Sequence, residues 1–139
     1  MTETADPRPA GAGPARASAV ERRILDAALT GLIVSTAEHI DEAKVFSREM
    51  HRLDGAKMRS VRADRRRYHE MFRGLVERGQ REGAFGDATP AETVTLVALG
   101  MVNQMPSWYR ADGPKPAAVL AEEVAAFVLA GLESGASGR

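Results

Sequence analysis

Six basic residues crowd one short stretch: Lys57, Arg59, Arg62, Arg65, Arg66 and Arg67, opposed only by Asp64. On a helix they do not form one stripe. Arg59, Arg62 and Arg66 share a face, and Arg65 falls beside the apolar one. Two chemistries fit. One is a solvated helix face whose aliphatic stems cover apolar neighbours. The other is an anion clamp for a ligand carrying phosphate or carboxylate. Direct DNA contact is the weakest reading, because no recognition helix with a turn before it is present. The histidines are His39, His51 and His69. None has another His or an acidic residue at the i, i+4 spacing of helical zinc sites, and no Glu-x-x-His pair of the di-iron kind exists. They read as surface or helix-end residues, except that His69, beside Tyr68 and near Phe72, could point into a pocket. No nucleophile elbow is present, and Glu122 and Glu123 are adjacent, so they face different ways. The expectation is no catalytic residue, no metal, no cofactor and no enzymatic activity.

Two further groups bear on binding. Met50, Met58, Met71, Met101 and Met105 fill core space, or else line an adaptable apolar pocket between helices. Asn103 and Gln104 interrupt an apolar helix. A buried amide without partners costs about 1–3 kcal/mol. One is therefore expected to face solvent, and the other to bond backbone near Pro106, contact a partner chain or touch a ligand.

The elements that position these residues are helical. Residues 1–17, rich in Pro, Gly and Ala, predict a disordered tail. Ser18 and Glu21 form a capping box that opens the first helix, and Val20, Ile24, Ala28 and Leu32 recur at helical spacing to about residues 36–39. A second helix opens near Asp41, with Val45, Phe46, Met50 and Leu53 on its apolar side, and Asp54-Gly55 ends it. The longest covers about residues 56–82, with Met58, Val61, Arg65, Tyr68, Phe72, Leu75 and Val76 along one side. Gly83 is its C′ residue, and Phe85 packs back onto the core. The next start has Thr89 as cap, Pro90 in the first helical position and Glu92 completing the box. Residues 94–105 are apolar nearly all round, so this helix is buried on several sides, and a partner subunit is the natural cover for the extra face. After a turn over residues 107–115, a last helix over residues 116–132 spreads Val119, Leu120, Val124, Phe127, Val128 and Leu132 over a broad arc. Residues 133–139 form a polar tail. No period-2 run occurs, so the fold class is all-α, one five-helix domain over residues 18–132.

Composition narrows the function. The chain has 139 residues, enough for one core. Its 19 Lys and Arg balance 19 Asp and Glu, which argues against a free-standing nucleic-acid binder. There is no Cys, which excludes disulfides, thiolate catalysis and Cys-ligated zinc. The N-terminus is acidic, without the apolar stretch of a secretory signal. The apolar run over residues 94–102 is far too short for a membrane span. A cytoplasmic location, with no membrane partner, is the default.

Several features follow one another in a telling order: residues 38–46 (EHIDEAKVF), the Arg-rich helix with Tyr68 and Phe72, Gly83-Ala84-Phe85, and the Thr89-Pro90 start. Gly100-Met101-Val102-Asn103, Trp108-Tyr109-Arg110 and Gly131-Leu132 complete the set. From about residue 30 to 132 the chain resembles the C-terminal effector-binding domain of TetR-type bacterial transcriptional regulators. Within that family it is most similar to regulators of fatty-acid and sterol catabolism, whose effectors are often acyl-CoA thioesters. The resemblance implies a homodimer, the last two helices pairing with their copies as a four-helix bundle through Val94, Val97, Met101, Met105, Val124, Phe127 and Val128. It implies that the first four helices surround a small apolar or acyl-type effector, with Met50, Tyr68, His69, Phe72, Met101 and Asn103 against it, while Trp108 and Tyr109 anchor the last interhelical turn. Residues 21–29 are similar to the family's opening helix. The helix-turn-helix expected after it is missing from this sequence, which implies that DNA is reached only indirectly or not at all, in a regulator without its reader or a fragment of one. Such a chain could dimerise with a full-length relative and block it. The competing reading is an all-α dimerisation or interaction protein with no effector, whose core would be filled.

Overall fold

The computed structural model describes residues 12–134, and every regular element among them is helical. The order is α1 (Ala12–Glu38), α2 (Ile40–Glu49), a 3-10 turn (Met50–Arg52), α3 (Gly55–Arg81), α4 (Ala91–Asn103), α5 (Met105–Trp108) and α6 (Ala117–Glu133). The expected all-α bundle is present, with the fourth expected helix divided into α4 and the short α5. Of the predicted tails, residues 1–11 and 135–139 lie outside the described residues. The first helix opens at Ala12 rather than at Ser18, so Ser18 lies inside it and is not its cap.

The larger correction in α1 concerns which face goes inward. Val20 and Ile24 remain about two-fifths exposed, while Leu25, Leu29, Ile33 and Ala37 are buried. Both series repeat at i, i+4, and the sequence supports either; they differ by a rotation of one residue, about 100°. The buried series wins because α1 packs most extensively on α6, whose inward residues are Ala121, Ala125, Leu129 and Leu132. Glu21 sits one step N-terminal on the same inward series and is buried. It accepts from Arg78 Nη1 of α3 at 3.5 Å instead of closing a capping box, since a buried carboxylate requires a partner. Arg22 Nε donates to Glu133 at 2.7 Å, which sets the early part of α1 beside the end of α6.

Local signals fix most of the remaining ends. α2 opens at Ile40 with His39 in the cap position, two residues earlier than an Asp41 cap would give. Asp41 and Glu42 stand in its first turn, where they suit the helix dipole. Asp54 does not end that helix; its carboxylate accepts from the Lys57 backbone N–H at 2.8 Å and caps α3. α4 has Pro90 in its cap position and no side-chain cap. The Thr89–Glu92 box does not form: Pro90, extended with ψ 146°, takes the cap position in place of Thr89, and Glu92 is engaged by α3, as described below.

The far end of α3 closes as its sequence requires. Gly83 has φ +82°, the left-handed conformation open to Gly. Ala84 N–H donates to Gly79 C=O at 2.8 Å and Gly83 N–H to Gln80 C=O at 3.3 Å, the paired bonds of a Schellman end. Phe85 then returns into the core, 2% exposed, with its ring against the bare backbone of Gly79. A Cβ on Gly79 would run into the Phe85 ring. Gly31, in α1, has nothing within 4 Å of an added Cβ. The two helical glycines therefore respond oppositely to Ala. Gly79→Ala costs about 1–3 kcal/mol through overpacking, and Gly31→Ala gains about 0.5–1 kcal/mol from propensity. Urea unfolding midpoints on opposite sides of the wild type are expected; two shifts of the same sign would refute the contact.

Candidate functional site

Two of the concavities on the surface gather residues expected to bind a ligand or a partner. The first is an open cleft of about 440 Å³ bounded by α1, α2, α3 and the α4–α5 junction. Because the inward series of α1 is Leu25, Leu29 and Ile33, the neighbouring face of its last turns presents Leu32, Ser35, Thr36 and His39 to this cleft. α2 contributes Glu42, Ala43, Phe46 and Ser47, followed by Met50; Val102, Asn103 and Pro106 close the other side. α3 contributes one residue, Arg65, whose guanidinium stands 5.9 Å from the centroid of the Phe46 ring, within cation–π range.

Some polar groups of the lining are already engaged. Thr36 Oγ1 donates to the Leu32 carbonyl at 2.7 Å. His39 Nδ1 lies 2.9 Å from the Ser35 carbonyl, a geometry that requires the proton on Nδ1. Arg65 makes no ion pair among the described residues. The same is true of Arg59, Arg62 and Arg66, all exposed, while Arg67 pairs with Asp64.

The expected ligand residues are only partly brought together. Met50 and Asn103 line the cleft. Tyr68 is held elsewhere: its hydroxyl donates to the Ala28 carbonyl at 3.0 Å, and burial raises its pKa above the usual 10.0. Phe72 is wholly buried in the core. Met101 packs half-buried against that core, and its carbonyl accepts from Trp108 Nε1 at 3.3 Å. The same carbonyl accepts from the Gln104 backbone N–H at 3.2 Å, so the Trp108 bond is a second tie, joining α5 to the end of α4. Asn103 and Gln104 are both exposed, so neither is the buried amide expected of one of them. Among the cleft residues not named as ligand contacts from sequence, Arg65 had a signal: it was the charged residue lying beside the apolar face of its helix.

His69 does not enter the cleft. Its Nε2 lies 3.2 Å from Glu92 Oε2, and Arg73 Nη1 donates to Glu92 Oε1 at 3.1 Å. This cluster joins α3 to the first turn of α4. Among the described residues no three of His, Asp and Glu gather as metal ligands.

The second feature is a groove of about 550 Å³ between α4 and α6, with Val94, Val97, Ala98, Phe127, Val128 and Leu132 in its lining. Its rim is apolar and uncovered: Val97 is 67% exposed and Phe127 81%. Leu96 and Val119 add to the exposed apolar surface of the same two helices. The expected interface residues Val94, Val124 and Val128 are half-buried beside it. Met105 departs from that expectation. It is 0% exposed, sealed by its own chain, because the break after α4 turns it inward.

Comparison with known proteins gives one match. Residues 16–132 match the family model described as "Tetracyclin repressor-like, C-terminal domain". No curated protein and no solved structure matches. No described helix is long and apolar enough to cross a membrane.

The α3–α4 cluster is titratable. The Arg73 hydrogen bond, and after it the His69 one, hold the Glu92 carboxyl below its ordinary 4.5. A carboxyl depressed on folding contributes stability above that ordinary value and loses it as pH falls through the lower folded value. Glu92 lies at the surface, so the contribution is small. Carboxyl-carbon NMR titration is expected to place Glu92 below 4.5 in the wild type and to move it upward in Arg73→Ala. An unchanged midpoint in the variant would show that Arg73 is not the cause.

Proposed function

The chain belongs to the tetracyclin repressor-like C-terminal domain family, and from that premise we propose that it is the effector-binding and dimerising module of a TetR-type regulator. The observation that carries the reading is the separation of two surfaces on one small bundle. A cleft of about 440 Å³ stands on one side, within the about 300–1,000 Å³ of small-molecule sites. A broad apolar face of α4 and α6 stands on the other.

Each surface supports one half of the proposal. Phe127 and Val97 gain little by projecting into water, and a contiguous exposed patch of this kind marks an interaction surface. The second copy of the chain would cover it, with α4 and α6 of both protomers forming a four-helix bundle. Val94, Val97, Val124, Phe127 and Val128 are the contact residues in this proposal. The cleft would take a small effector with a largely apolar or acyl body against Leu32, Phe46, Met50 and Val102. A protein that only dimerised would need no such cleft, which favours the effector reading over a plain interaction protein.

Native mass spectrometry at low-micromolar concentration tests the interface. The wild-type chain is expected at twice its monomer mass. Val97→Glu and Phe127→Glu are expected to be monomeric with unchanged helix content, since both side chains are exposed in the protomer. A monomeric wild type would overturn the dimer proposal.

A further inference from the structure

We infer that the cleft selects an amphipathic carboxylate, with Arg65 as the residue that sets this specificity; the inference rests on the effector reading and deepens it. Three observations combine. The cleft has apolar residues in its lining, Leu32, Phe46, Met50 and Val102 among them. Arg65 is the only basic residue of α3 that reaches its lining. It makes no ion pair among the described residues, whereas Arg67, two residues further along the same helix, pairs with Asp64.

The Phe46 contact adds geometry to this charge. A guanidinium held over a ring keeps its planar fork of N–H donors presented rather than swinging freely. That fork matches the two oxygens of a carboxylate. The apolar body of the same ligand would lie on Phe46 and Met50, a short distance from the charge. Glu42 is the one acidic residue of the lining, is exposed, and also makes no ion pair among the described residues. It opposes an anion, so the balance between Glu42 and Arg65 sets how strongly the head group is preferred.

The test is isothermal titration of the full chain at neutral pH with octanoate and with octan-1-ol, which share an apolar body and differ in the head. Octanoate is expected to bind about tenfold more tightly, the low end for a charged hydrogen bond at an open edge. Arg65→Gln is expected to bring octanoate down to the octan-1-ol level without changing octan-1-ol, and Arg65→Lys to keep part of the preference. Glu42→Gln is expected to strengthen octanoate binding alone. Because Arg65 and Glu42 are both exposed, unchanged circular dichroism is expected throughout. Equal affinities in the wild type, or a preference that survives Arg65→Gln, would overturn the inference while leaving the cleft a binding site. Binding of neither probe would remove the effector reading itself, and this inference with it.

Discussion

The packing of α1 on the small-residue face of α6 is the constraint from which the rest of the molecule follows. α6 turns Ala121 and Ala125 inward. Small residues at a helix contact let the two axes approach closely, and the larger Leu25, Leu29 and Ile33 of α1 occupy the same core. This choice has two consequences on opposite sides of the bundle. With alanines inward, the bulky Val119 and Phe127 of α6 stand outward and create the uncovered apolar face. With Leu25, Leu29 and Ile33 inward, Leu32, Ser35, Thr36 and His39 turn toward α2 and line the cleft.

The second constraint is the end of α3. Helix α3 buries nothing before Phe72, so its N-terminal half contributes little to the core. Its C-terminal half is held by Phe72, Leu75, Val76 and the Phe85 ring seated on Gly79. Gly86 N–H then donates to the Leu132 carbonyl at 2.6 Å, which joins the α3–α4 loop to α6. The Arg73–Glu92–His69 cluster adds a polar tie between α3 and α4. The well-packed end of α3 fixes the scaffold, while the less covered end carries the charged residues, Arg65 among them.

How much of this was legible depended on whether the signal was local. The all-α class, the Gly83 end and the return of Phe85 rest on residues within a turn of one another, and the sequence suffices for them. The inward face of α1 does not, because Val20-Ile24-Ala28-Leu32 and Leu25-Leu29-Ile33-Ala37 are equally periodic; only the presence of α6 decides between them. The same holds for Glu21 and Glu92, which look like capping carboxylates and are taken by arginines of α3 distant in sequence. For the cleft, Met50 and Asn103 were legible as residues of the right helices. Tyr68 is instead tied to α1 by its bond to Ala28, and Phe72 is taken by the core, neither of which a local pattern reveals.

Helix α4 explains why the sequence made one helix apolar nearly all round. It has three sides to satisfy. Ala91, Thr95, Ala98, Leu99 and Val102 go to the core, with the Thr95 hydroxyl returned to the Ala91 carbonyl at 2.8 Å so that no polar group is left bare. Leu96 and Val97 belong to the outward face shared with α6. Val102 and Asn103 reach the cleft. A helix that faced only a core and solvent would be amphipathic; α4 is not, because its outward side is also apolar. It is thus the one long helix that borders both the cleft and the exposed face, and the break at Gln104 ends it where the cleft begins. Past that break, Met105 is turned inward and Trp108 back onto Met101. The end of α4 is thereby secured by its own chain, without any side-chain bond from Asn103 or Gln104.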